Sequence, residues 1–336
     1  MKKIINSKEN IVSEMMDGYL SAYKRYFERV PGQQSAFFFK GRRKNKVSIV
    51  IGGGSGHEPL FIGFAGKGLA DAVVSGNIFA APNPQSIFET AKAVDEGQGV
   101  LFLYGCYAGD NMNFDMAEEL CEMEDIRTGH VRVWDDCASA PKERIESRRG
   151  IAGDIYVIKV AGAAADAGLS FEEVLRITEK ARDNINTIGL ATSPGSIPGL
   201  NKPTFELGED EIEFGMGLHG EPGIERTKMQ PAEKLVKRMY QELSKEMELT
   251  KGQEVAILVN GLGSTTLLEL NIVYHDLDKL MKADGLIVHD AEIKNYCTCQ
   301  EMGGFSITIL KLDEELKRYY NAPCHSPYYA REAIEA

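Results

Sequence analysis

The sequence predicts an α/β protein of two domains, each a sheet flanked by helices. Three observations carry that expectation. Apolar runs of strand length alternate with helical patterns along nearly the whole chain, the arrangement that builds sheets covered by helices. The 336 residues exceed what one hydrophobic core usually spans. The stretch "ATSPGSIPGLNKP", Ala191 to Pro203, interrupts the alternation with proline and glycine and reads as the junction. The expected domains are residues 1–190, with a glycine-rich loop and His57, and residues 191–336, with a loop around His219.

Taken in order, "KVSIVI" (Lys46–Ile51), "GVLFLY" (Gly99–Tyr104) and "HVRVW" (His130–Trp134) are short, mainly apolar runs of strand length and read as buried strands. Pro84 to Val94 places Ile87, Ala91 and Val94 on one helical face, and Asn111 to Glu124 reads as a helix after a glycine-aspartate turn. "SFEEVLRITEKARDNI" opens with Ser170 and Glu173 at capping-box spacing, a helix start. In the second half "EIEFGMG" reads as a strand leading into the His219 loop, and a helix follows from Pro231 to Met247. The strand "EVAILVN" then runs into "GLGSTT" and another helix, and "GLIVHD" and "FSITIL" are further strands.

Hydrophobic residues make up 43% of the chain, ordinary for a soluble globular protein. A formal net charge of -12 argues against direct contact with DNA, RNA or anionic membranes, which needs clustered Lys and Arg. Any influence on nucleic acid would have to pass through a partner. The six cysteines are scattered and fit no disulfide framework. "CTC" at Cys297–Cys299 lacks a second ligand pair at zinc spacing, so no metal is expected there. The apolar run at Ile4-Ile5 is too short for a signal peptide, and no segment approaches membrane-spanning length, so a cytoplasmic location is expected.

Two loops carry the candidate chemistry. "GGGSGHEP", Gly52 to Pro59, follows a strand and carries His57 after its glycines; "GMGLHGEPG", Gly215 to Gly223, sets His219 among four glycines. Glycines let a backbone approach a ligand closely, although a tight structural turn uses the same residues. Neither the P-loop pattern nor a helix-opening G-x-G-x-x-G is completed, so a nucleotide is disfavoured and no cofactor is expected. An imidazole beside backbone donors suits acid–base work near neutral pH; the plainer alternative is a histidine bonded to a carbonyl. Asp110, in "YAGD", either caps the helix expected near Asn111 or accepts a ligand hydroxyl. The remaining histidines, His130, His275, His289 and His325, read as structural. "SRRG" (Ser147–Gly150) reads as a solvated charge pair in preference to an anion or interface contact.

In the same order along nearly the entire chain, "GGGSGHEP", "NFDMAEEL" after "AGD", "SRRGIAG", "EIEFGMGLHGEPG", "LVNGLGSTTLLEL" and "MGGFSITILKLDEE" resemble the substrate-binding subunit of bacterial dihydroxyacetone kinase. The resemblance implies two α/β domains, a homodimer, and a histidine at position 219 that attacks the ketone carbon of dihydroxyacetone to form a covalent hemiaminal. It further implies that His57 acts as acid or base on a ligand hydroxyl and that Asp110 bonds a hydroxyl. Gly53, Gly54, Ser55, Gly56 and Gly105 would line the pocket. In the phosphotransferase-dependent kinases a separate subunit brings the ADP, in keeping with the missing nucleotide motif.

The chain also departs from that family's pattern. Where kinase subunits read Lys-Asn-Tyr-Thr-Gly-Asp, it reads Gly105-Cys106-Tyr107-Ala108-Gly109-Asp110. Phe-Thr-Ser-Pro-Thr-Pro has become Phe79-Ala80-Ala81-Pro82-Asn83-Pro84, a triple aspartate is reduced to Asp135-Asp136-Cys137, and Ala-Thr-Pro-Leu is replaced by Ser264-Thr265-Thr266-Leu267. Phosphoryl transfer depends on positioned charge and hydrogen-bond donors. Losing such groups while keeping His57, Asp110 and His219 resembles the branch that binds dihydroxyacetone as coactivator of a TetR-type transcription regulator. That is the expected function, with a working kinase subunit paired to an ADP-binding partner as the alternative.

Overall fold

The computed structural model describes residues 2–200 and 202–332. They form two compact units, and the units are not consecutive halves: residues 2–133, 155–181 and those from Glu315 on make one, and 134–154 with 182–314 make the other. The expected cut after residue 190 therefore falls inside a strand. "ATSPGSIPGLNKP" joins no domains; it lies wholly in the second unit, where Ser196 bridges Pro203.

The first unit opens with helix α1 (Ile11–Ala22) and strands β1 (Phe27–Arg29), β2 (Ala36–Phe39), β3 (Ser48–Ser55) and β4 (Ala72–Ile78). Helix α2 (Pro84–Val94), β5 (Val100–Gly105), α3 (Ala108–Glu122) and β6 (Thr128–Val133) follow, then α4 (Asp154–Asp166) and α5 (Phe171–Asp183). Its sheet has the order β1-β2-β4-β3-β5-β6, with β4, β3, β5 and β6 parallel and the first two strands antiparallel. β3 is buried along almost its full length, as a central parallel strand covered on both faces must be. Helix α2 spans the residues expected of it; Asn83 caps it by accepting from the Gln85 and Ser86 amides. Its apolar face, Ile87, Ala91 and Val94, packs with Val50, Val74, Phe102 and Phe114. At α5, Ser170 and Glu173 form the reciprocal bonds of the expected capping box.

The second unit holds β7 (Ile185–Ser193), β8 (Glu211–Phe214), β9 (Glu225–Lys228), α6 (Ala232–Met247), β10 (Glu254–Gly261), α7 (Leu267–Asp284), β11 (Ile287–Lys294) and β12 (Gly303–Leu312). Its strands run in the order β11-β10-β12-β7-β8-β9; β10 and β11 are parallel and every other neighbouring pair is antiparallel. The apolar stripe of α6, Leu235, Met239, Leu243 and Met247, packs with Ile257 and Val259 of β10 and Ile307 and Ile309 of β12. Thr266 and Glu269 form a capping box at the start of α7. The chain then returns to the first unit through α8 (Glu314–Asn321) and the short pair β13 (Cys324–His325) and β14 (Ala330–Arg331). Among the described residues no helix is long and apolar enough to cross a membrane.

Candidate functional site

Parallel β3 and β5 are neighbours in the first unit's sheet, while the chain leaves them towards opposite sides, to β4 and to β6. Open α/β sheets bind ligands at the carboxyl ends of strands at such a switch point. Gly53, Gly54, Ser55, Gly56 and His57 lie at the end of β3, and Gly105 and Asp110 at and just beyond the end of β5. The structure thus brings seven of the eight expected site residues to one sheet edge. His219 belongs to the other unit.

The local geometry explains much of the glycine run without a ligand. A Cβ on Gly52 would stand 2.4 Å from the Val74 carbonyl, one on Gly53 2.3 Å from the Phe61 ring, and one on Gly54 2.7 Å from the Ala80 nitrogen. Gly56 sits at φ +104°, in the left-handed region, and its amide donates to both Glu58 oxygens at 2.9 and 3.1 Å. The Ser55 hydroxyl donates to the Gly76 carbonyl at 2.7 Å. The Gly56 donor expected to face a ligand is therefore already occupied. Burial pushes the Glu58 carboxyl up, against the two backbone bonds it accepts. His57 is buried, with only 3% of its surface exposed, and stacks on Phe79 at 5.0 Å between ring centres.

Asp110 does not cap its helix. α3 begins three residues earlier than expected, with Tyr107 at the N-cap, and the half-buried Asp110 is the third residue of the first turn. A carboxylate there is favoured by the helix dipole.

The His219 loop follows β8. Glu221 folds back on the histidine: its Oε2 accepts from the His219 amide at 2.8 Å and its Oε1 lies 3.0 Å from Nδ1. Burial pushes the Glu221 carboxyl up, but the bonds to His219 and the nearby Arg149 charge outweigh it and hold the group down at about 2. An ionised carboxylate can only accept, so Nδ1 carries a proton. The ring is partly open, with 24% of its side chain exposed. Behind the loop the packing leaves only about 10 Å³, bounded by Gly217, Leu218, Asn260 and Cys297, which is too little for a sugar.

The glycines of this loop also serve the protein's own packing. A Cβ on Gly217 would stand 2.4 Å from Glu221 Oε2 and 2.5 Å from Arg149 Nη1, and one on Gly223 2.1 Å from the Phe214 carbonyl. Arg149 is anchored by Asp136, at 2.9 Å from Nε and 2.8 Å from Nη2. Burial pushes Asp136 up to about 7, with Arg149 pulling the other way. Hence within this unit Asp136 holds Arg149, whose charge acts on Glu221, and Glu221 holds His219.

This corrects the reading of "SRRG" as a solvated pair. Arg148 is 1% exposed and donates to the Ala140 carbonyl at 2.7 Å and to Glu246 at 3.0 Å. Sequence reasoning also missed Glu221 and Arg149 as partners of His219. The spacing His-Gly-Glu was a usable signal for the first, while Arg149 lies too far away in sequence to leave one.

The other histidines have ordinary surroundings. His130 Nδ1 lies 2.6 Å from Glu118, His289 Nδ1 2.9 Å from Glu254, His325 Nε2 3.4 Å from the Tyr26 hydroxyl, and His275 is exposed. Asp115, Glu118 and His130 are the one group of three potential metal ligands among the described residues, and Arg132 already pairs with Asp115 at 2.5 Å. Cys297 and Cys299 are buried thiols, and burial pushes Cys297 well above the usual range.

Comparison with known proteins bears on the whole chain. The Dak1 domain model matches residues 17–328. The dihydroxyacetone-binding subunit DhaK of PTS-dependent dihydroxyacetone kinase 2 from Listeria innocua is 43% identical over 330 residues, 98% of this chain and 99% of that protein. The solved structure of the dihydroxyacetone kinase operon co-activator Dha-DhaQ superposes with a TM-score of 0.86 and 31% identity, covering 93% of this chain and 96% of that one. The dihydroxyacetone kinase of C. freundii gives 0.89 and 28%, covering 98% of this chain and 60% of that one. Both units have the fold of the dihydroxyacetone kinase K subunit, and the chain belongs to the Dak1 domain family.

Proposed function

We propose that this chain captures dihydroxyacetone as a covalent hemiaminal on His219 and serves, in that loaded state, as a coactivator of a TetR-type transcription regulator. The observation that carries the capture step is the Glu221 carboxylate held against Nδ1 of a partly open ring; in this reading the neutral ring attacks through Nε2. Nε2 adds to the ketone carbon, a C–N bond forms and the carbonyl π bond breaks. The oxygen takes up one proton, Nδ1 gives up one, and the product is a neutral hemiaminal. Glu221 stabilises the imidazolium that forms in between. In this reading His57 exchanges a proton with a ligand hydroxyl, Asp110 accepts another hydroxyl, and Gly53, Gly54, Ser55, Gly56 and Gly105 shape the pocket. Glycerol has no carbonyl and cannot be held this way. The likeness to the co-activator structure supports the regulatory role, as do Gly105-Cys106 and Ala80-Ala81 where kinase subunits carry Lys-Asn and Thr-Ser.

A second reading, substrate-binding subunit of a PTS-dependent dihydroxyacetone kinase, is favoured by the higher identity to the Listeria subunit over nearly the full length of both chains. One experiment separates them. The protein is mixed with dihydroxyacetone, a phosphorylated ADP-bearing kinase subunit and its recycling system, and triose phosphate is measured. Capture on His219 without turnover is expected; robust turnover overturns the coactivator role. Dihydroxyacetone retention unchanged by His219→Ala overturns the capture itself.

A further inference from the structure

The first unit contains a cleft of about 380 Å³ whose lining includes none of the residues of the loops described above. Its lining includes Arg42, Arg43, Lys67 and Arg318, together with Phe39 and Tyr319. Two acids, Asp71 and Asp166, also border it, and both are engaged by the buried Lys46, at 2.6 and 3.0 Å. Glu96 stands 3.9 Å from Arg42. Five cations against three carboxylates leave the cleft positive in a chain whose net charge is -12. Screening over about 8 Å at physiological salt makes these near neighbours, and not the remote acids, decide what the cleft attracts.

Two of the four lining cations are left over after Lys46 has taken both aspartates. Lys67 and Arg318 are exposed and have no ion-pair partner among the described residues. Arg42 lies over the Phe38 ring, and its Nε is buried without a hydrogen-bond partner. Arg43 donates one arm to the Asp166 carbonyl at 2.5 Å, which fixes its position.

The cleft lies at the opposite edge of the sheet from the loops that follow β3 and β5. Lys46 and Asp71 stand just before β3 and β4, whereas His57 follows the carboxyl end of β3. β3 has eight residues, so at roughly 3.3 Å per residue the two edges are about 25 Å apart. The space holds about a dozen water molecules at roughly 30 Å³ each, more than an inorganic phosphate fills. Its walls offer aromatic and alanine surface for a carbon skeleton, and its arginines offer the forked donors that suit phosphate oxygens.

We propose that this cleft is a second binding site, for a monophosphorylated organic compound of about pentose or hexose size. The phosphate bridges Arg42 and Arg318 or Lys67, and the carbon portion lies along Phe39 and Tyr319. The site is independent of the reading given for His219.

The test is calorimetric titration of the full chain at constant ionic strength with three probes: ribose 5-phosphate, inorganic phosphate and ribose. Saturable binding of ribose 5-phosphate is expected, about tenfold or more tighter than inorganic phosphate and absent for ribose. Lys67→Ala with Arg318→Ala, both exposed and safe for folding, should weaken it about tenfold or more. His219→Ala should leave it unchanged. Equal affinity for inorganic phosphate overturns the organic ligand. Failure of ribose 5-phosphate to bind, or undiminished binding by the double variant, overturns the site.

Discussion

Gly217→Ala tests the reasoning about His219 most sharply, because the perturbation is one methyl group and the consequences for stability and capture separate. The new Cβ would stand 2.4 Å from Glu221 Oε2 and 2.5 Å from Arg149 Nη1. Normal contact requires about 1 Å more, and both atoms end flexible side chains, so they move aside and the backbone does not. Glu221 starts 2.8 Å from the His219 amide and 3.0 Å from Nδ1, so a retreat of about 1 Å takes both beyond bonding distance. A hydrogen bond to a charged group contributes about 1.5–3 kcal/mol. Removing it should weaken dihydroxyacetone capture by roughly ten- to a hundredfold. Gly217 has no positive φ, and alanine reduces the entropy of the unfolded chain by about 0.4–1 kcal/mol, which offsets part of the lost bonds, so the melting temperature should fall by only a few degrees. Calorimetric titration with dihydroxyacetone and a scanning-calorimetry melt measure the two effects, with Glu221→Gln as the matched control. Wild-type capture by Gly217→Ala would refute the role given to Glu221, and a large loss of Tm would refute the claim that only side chains yield.

Other consequences can be checked in the same preparations. Gly223→Ala should behave oppositely, costing about 1–3 kcal/mol of stability in a denaturant titration, since its Cβ meets the Phe214 backbone carbonyl at 2.1 Å, which cannot swing away. Asp136 is pushed by burial up to about 7, so the folded chain holds a proton there that the unfolded chain releases near 4. Its contribution to stability is present at low pH and lost as pH rises from about 4 to 7; Asp136→Asn should flatten that decline by up to one proton in the slope of stability against pH. Cys297, wholly buried and with its thiol pushed well above the usual range, should react with a thiol reagent only at the rate at which the native chain opens.

The elements legible in the sequence were those whose signals are local. α2 has Asn83, Pro84 and an apolar face at helical spacing, and α5 has its capping pair; each lies where its pattern placed it. α4 left no such mark, because "IYVIKVAGAAA" is buried on all sides and shows no period. β4 and β7 are apolar runs whose strand identity depends on neighbours far away in the chain. The junction at Ala191 was misread because proline and glycine mark any irregular backbone, within a unit as readily as between two.

His57 and His219 stood out in the sequence by the glycines around them, and the order of the loops was enough to place the chain in its family. What sequence alone decided, then, was the alternation of strands and helices and the family. Tertiary structure decided what the glycines are for, that Arg148 is buried, and that Asp136 and Arg149 stand behind Glu221. The reason is physical: periodicity and capping act over a few residues, whereas burial and ion pairing depend on which distant side chains the fold brings within a few ångströms.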